Sequence, residues 1–91
     1  RGLGDVYKRQ LEYNRLGISV SKKVGNSVVR HRVTRLIREA YRLNKDCICS
    51  GYDIVFVARV TAKDKGYHEI ESAMMHLFRL KKLTIVRDGE N

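Results

Sequence analysis

The chain reads as an α+β protein: a small mixed sheet with helices packed on it, in the order strand, helix, strand, helix. Three observations predict this. Residues 16–21 alternate between apolar and small or polar, residues 27–43 carry apolar side chains at helical spacing, and a β-rich run at 52–60 leads into a second helical pattern at 67–82.

In the first strand Leu16, Ile18 and Val20 fall on one side and Gly17, Ser19 and Ser21 on the other, the alternation of a half-buried strand. Lys22-Lys23-Val24-Gly25-Asn26 closes it, and Asn26 suits the N-cap of the helix that follows. At about 100° per residue, Val29, Val33, Leu36, Ile37, Ala40 and Leu43 gather in one sector of that helix, which ends near Asn44. The run at 52–60 is apolar on both faces (Ile54, Val55, Phe56, Val57, Ala58), as in a central strand. A polar loop at 61–66 precedes the second helix, whose apolar positions are Ile70, Ala73, Met74, Leu77 and Phe78. Glu69 and Glu71 near its start and Arg79, Lys81 and Lys82 near its end suit the helix dipole. Two strands are too few for an independently stable sheet. Either residues 10–13 pair as another strand, or strands are missing upstream.

The chain has 91 residues, enough for one small domain. Residues 1–10 show neither periodicity and no Met stands at position 1, so they read as non-native, junction-like or disordered sequence. The domain is then 11–83, with 84–91 as a C-terminal tail. No apolar run approaches the ~18 residues of a membrane span, and Cys47 and Cys49 are too close and too few for a disulfide framework.

Charge supplies the functional signal. The net charge is +9, and residues 22–45 hold eight basic side chains (Lys22, Lys23, Arg30, Arg32, Arg35, Arg38, Arg42, Lys45) against one acid, Glu39. On the helical wheel Arg30, Arg38, His31, Arg42 and Arg35 fall in a sector about 140° wide opposite the apolar side, with Arg32 flanking it. Guanidinium binds phosphate through a rigid donor fork, and amides at the helix N-terminus offer a phosphate seat. A solvated helix face normally mixes charge signs. This one is nearly all positive, which points to a nucleic acid.

The stretch from Leu16 to Glu39, with its Ser21-Lys22-Lys23, Gly25-Asn26 and Arg30-His31-Arg32 segments, closely resembles the bacterial ribonuclease P protein component. The likeness continues through Tyr52-Asp53-Ile54-Val55-Phe56-Val57-Ala58-Arg59 and into Tyr67, Glu69 and Leu77-Phe78-Arg79. It implies a cytoplasmic RNA-binding subunit, partnered by ribonuclease P RNA, that assists removal of the 5′ leader from precursor tRNA. The RNA supplies the chemistry with magnesium, and this chain holds no cofactor and no catalytic residue. Lys22, Lys23, Asn26, Arg30, Arg32, Arg35 and Arg38 are the implied RNA contacts, and Arg42 joins them from its place on the stripe. His31 stands where the family typically has Asn but can still donate and stack, so it is kept. Thr34, where the family often has Lys, is left out. The resemblance also implies a left-handed strand-helix-strand crossover, against the usual hand. An N-terminal helix and first strand, expected to be lacking here, build part of the family's leader cleft, and an aromatic of some members is replaced by Thr84. Leader contact by this chain is therefore left open.

Other candidates carry less. Cys47-Ile48-Cys49 has no further ligands at zinc spacing. His68 and His76 lie about 12 Å apart along a helix, too far to share a metal. Asp53 reads as a surface charge, Glu39 as an ion-pair partner of Arg32, and Tyr41, Tyr52 and Tyr67 more as core than as base-stacking platforms. No Walker-type loop or G-x-S-x-G elbow occurs. The rival functions are a ribosomal or chaperone-type RNA binder, a DNA-binding regulator and a stand-alone nuclease. The regulator lacks a second helix after a short turn, and the nuclease lacks a carboxylate cluster.

Overall fold

In the computed structural model, residues 3–10, 15–49 and 51–84 are described. They form β1 (Gly4–Gln10), β2 (Arg15–Val20), α1 (Ser27–Asn44), β3 (Tyr52–Ala58) and α2 (Tyr67–Leu80), with short 3-10 turns at Lys22–Val24, Lys45–Cys47 and Val60–Ala62. The sheet order is β1-β3-β2, so β3 is the central strand. It pairs antiparallel with β1, Val6 opposite Phe56, and parallel with β2, Ile18 opposite Phe56. A parallel pair cannot be joined by a tight turn, and α1 lies in the crossover between β2 and β3.

Alternation decides which sheet face is covered. Val6, Ile54, Phe56 and Ala58 are buried, and Leu16, Ile18 and Val20 of β2 pack against them. From the helices come Val33, Ile37 and Ala40 of α1 and Ile70, Met74 and Phe78 of α2, at the 3-4 spacing of one helical face. α1 lies against β2 and α2, and α2 also lies against β1. Tyr41 meets Phe78 edge-on at 6.4 Å, joining the two helices.

Within the 1–10 segment, residues 1–2 lie outside the described residues and the rest departs from expectation. Gly4–Gln10 is a strand, not a disordered segment, and it supplies the first strand that the domain was expected to lack. Its inward side reads Gly4, Val6, Lys8, and only Val6, 1% exposed, carries an apolar side chain into the core. One apolar residue leaves no periodic signal; pairing to β3 makes the strand. Residues 11–13, the rest of the stretch expected to pair as a strand, lie outside the described residues.

Smaller differences have local causes. β3 ends at Ala58, and Val60 turns outward in a 3-10 turn. α2 ends at Leu80 because Lys82 adopts a left-handed conformation, φ 59°. The Leu83 N–H then reaches back to the Phe78 carbonyl at 2.8 Å, a Schellman-type stop. Leu43, placed by its wheel position with the apolar side, is 55% exposed. Thr84, assigned to the tail, bridges to Ile48, and residues 85–91 lie outside the described residues.

Candidate nucleic-acid interface

The interface is built from the turn that ends β2. Val24 is fully buried beneath the 3-10 turn Lys22–Val24, which leaves Lys22 and Lys23 exposed above it. Ser21 Oγ accepts from the Lys23 N–H at 3.1 Å. Gly25 then passes so close to Val29 that an added Cβ would sit 2.9 Å from the valine side chain, closer than two carbons can stand. Asn26 Oδ1 accepts from the Val29 N–H at 3.0 Å, capping α1. The amides of Lys23, Val24, Val29 and Arg30 are thus bonded within the turn and helix. The expected phosphate seat is narrower than the sequence implied, and Asn26 acts first as a cap.

Along α1 the basic side chains part into three environments. Arg30 is half-buried and its Nε donates to the Gly25 carbonyl at 3.1 Å, which ties helix to turn. His31, Arg35 and Arg38 are exposed. Arg42 grips Glu39, with Nη2 to Oε2 at 2.7 Å and Nε to Oε1 at 3.2 Å. Arg42's hydrogen bond and charge hold the Glu39 carboxyl below its ordinary range, and Arg42 is raised in turn. The expected Arg32–Glu39 pair does not form. Seven residues separate them, about 10 Å along the axis, whereas Arg42 is an i,i+3 neighbour. Arg32 instead donates to the carbonyls of Lys65 at 2.7 Å and Lys63 at 3.4 Å. The Thr34 hydroxyl is engaged with the Arg30 carbonyl at 2.9 Å.

Two adjoining grooves run between α1 and β2. Val20, Ser27, Arg30, His31, Thr34 and Arg38 line the first. Leu16, Arg35, Arg38, Glu39, Arg42 and Lys45, with Tyr41, line the second. Arg38 belongs to both, so the stripe faces a continuous basic trough floored by β2 side chains. The predicted Arg30, His31, Arg35, Arg38 and Arg42 come together here. Lys22 and Lys23 stand at its entry turn, and Arg32 points away. Lys45 was counted in the basic run but not singled out as a contact. Its place in the trough follows from its position one residue past α1.

On the opposite face of the sheet Asp53 accepts from Arg9 and from Arg15, both at 3.0 Å. Arg15 first, and Arg9 with it, holds the Asp53 carboxyl low. Tyr52 lies under the Lys8 ammonium, 5.4 Å from its ring centre, and Tyr67 donates to Glu71 at 3.1 Å. Cys47 is exposed and Cys49 half-buried, both as free thiols. Among the described residues no helix is long and apolar enough to cross a membrane, and no three His, Cys, Asp or Glu side chains cluster as a metal set.

The described residues define a small α+β protein whose three-stranded mixed sheet carries an arginine-striped helix along one edge. The family profile described as Ribonuclease P matches residues 5–82. The chain is 65% identical over 78 residues to the ribonuclease P protein component of Lachnoclostridium phytofermentans, covering 86% of this chain and 67% of that one. Against the same component of Alkaliphilus metalliredigens the identity is 58%, over 86% and 70%. The RNase P protein structure of Staphylococcus aureus superposes with a TM-score of 0.77 at 37% identity, over 88% of this chain and 75% of that one. That of Thermotoga maritima gives 0.75 at 30%, over 82% and 74%. The chain belongs to the ribonuclease P protein family.

Proposed function

We propose that this chain is the protein subunit of ribonuclease P, acting in the cytoplasm. It binds ribonuclease P RNA through the α1 trough and assists RNA-catalysed removal of the 5′ leader from precursor tRNA. One observation carries the reading: five cationic or stacking side chains of α1, Arg30, His31, Arg35, Arg38 and Arg42, line one trough whose single acid is Glu39. Screening of phosphate repulsion by such a trough stabilises a folded RNA and favours docking of a second polyanion, the precursor. Hydrolysis and its magnesium are assigned to the RNA. A DNA-reading role is disfavoured by connectivity, since α1 is followed by the central strand β3.

The test measures binding to ribonuclease P RNA and to duplex DNA across a salt series. With about five phosphates neutralised, the log–log slope for the RNA is about −3.5 to −4.5, and the RNA is preferred over DNA. Precursor tRNA with this protein and magnesium alone stays uncut, while adding the protein to the RNA speeds cleavage. A slope near zero, or no gain in RNA-catalysed cleavage, overturns the reading.

A further inference from the structure

Arg32 stands apart from the other arginines of α1. It lies on the flank turned away from the trough, and its guanidinium bridges two backbone carbonyls, those of Lys65 at 2.7 Å and Lys63 at 3.4 Å. These lie 33 and 31 residues further along the chain, in the connection between β3 and α2. The same connection has a second anchor. Its 3-10 turn Val60–Ala62 packs against the turn Lys22–Val24, with Ala62 and Val24 both buried. Lys63 and Lys65 follow the Val60–Ala62 turn directly, so the segment that carries them is anchored both to Lys22–Val24 and to Arg32. Neither of their ammonium groups pairs with an acid among the described residues; Asp64, exposed between them, is the one acid of the segment.

We infer that Arg32 is a positioning residue, and that it positions Lys63 and Lys65 as further phosphate contacts carrying the RNA surface round the N-terminal end of α1. The inference rests on the RNA-binding reading above. Holding two further lysines against an already basic helix raises the self-repulsion of the chain, and a polyanion converts that crowding into affinity. The clamp needs an arginine, because a planar fork reaches two carbonyls at once whereas an ammonium is a point charge.

The experiment compares salt slopes for ribonuclease P RNA, with circular dichroism confirming that each variant is folded. Replacing both lysines (Lys63→Ala with Lys65→Ala) lowers the slope by about 1.5. Arg32→Ala lowers it as well, and the triple variant falls no further than the double, because Arg32 acts through the lysines. Arg32→Lys keeps the charge but does not restore the slope. An unchanged slope in the double variant, an additive triple, or rescue by Arg32→Lys overturns the inference while leaving the RNA-binding reading intact. Loss of salt-dependent binding in the unsubstituted chain overturns both. Lysine acetylation of the unsubstituted protein is a check independent of any variant's folding. Bound RNA protects Lys63 and Lys65 together with Lys22 and Lys23, and modification at free-protein rates in the saturated complex refutes the assignment.

Discussion

Asn44, the last residue of α1, donates its side-chain amide to Glu71 of α2 at 2.7 Å and to the Ala40 carbonyl at 2.8 Å. Tyr67 donates to the same Glu71 oxygen at 3.1 Å. One carboxylate thus fastens the end of α1 to α2. The Asn44 bond, then the Tyr67 bond, hold Glu71 below the ordinary carboxylate range.

A group depressed in the folded state contributes stability that is complete above its unfolded value and is lost as pH falls through its folded value. Acid unfolding of the protein therefore includes a Glu71 contribution, and Glu71→Gln flattens the stability-against-pH curve on the acid side. Thermal melts at stepped pH check this. Equal acid sensitivity in the variant would show that Glu71 does not carry it.

Under the proposed trough reading, Glu39 competes with RNA for Arg42, which it grips at 2.7 Å. In Glu39→Gln the bidentate partner is lost and Arg42 is released toward the trough. Binding to ribonuclease P RNA tightens about two- to fivefold, the scale of an exposed ion pair, and the salt slope steepens. Titrations at two ionic strengths read both, and weaker binding would assign Glu39 a contact of its own.

Surface and core separate on neighbouring positions of α1. Arg35→Ala and Arg38→Ala each leave stability within about 0.5 kcal/mol, as exposed substitutions do, while lowering the salt slope by about one. Ile37, 1% exposed between them, behaves in the opposite way: Ile37→Ala costs about 2–5 kcal/mol through lost burial and a cavity. Denaturant melts beside salt titrations give the comparison. Unfolding by Arg35→Ala with a stable Ile37→Ala would reverse the two faces.

Lys82 holds a left-handed conformation, φ 59°, which disfavours a residue with a Cβ by about 1–2 kcal/mol. Lys82→Gly relieves this and raises stability, by about 1 kcal/mol after the extra unfolded-state freedom of glycine is counted. A higher denaturant midpoint at unchanged slope is the expected result. A lower midpoint would mean that the lysine side chain contributes more than its backbone costs.

Sequence periodicity located α1 and its buried side well, because Val33, Ile37 and Ala40 repeat where a helix must meet a sheet. It misplaced Leu43, since a wheel gives direction around the axis but not how far along it the packing partner extends. It missed β1, where Val6 is the lone apolar inward side chain and the pairing that makes the strand comes from β3, over forty residues later. The basic trough was legible from the arginine spacing, whereas the Arg32 clamp was not. Its acceptors are backbone carbonyls, which every residue has, so only the fold could single out Lys63 and Lys65.

The strand order also governs how the molecule comes into being. β1 and β2 touch β3 and not each other, and β3 begins only at Tyr52. A nascent chain that has displayed both outer strands and all of α1 still has no sheet, and α1 lacks the packed face from which most helices in proteins draw their stability. The arginine-rich segment therefore leaves the ribosome before its support exists, as a cationic and only partly helical strip among abundant RNA. Emergence of the central strand is the event that gives this strip a rigid backing, and through it a choice of partner.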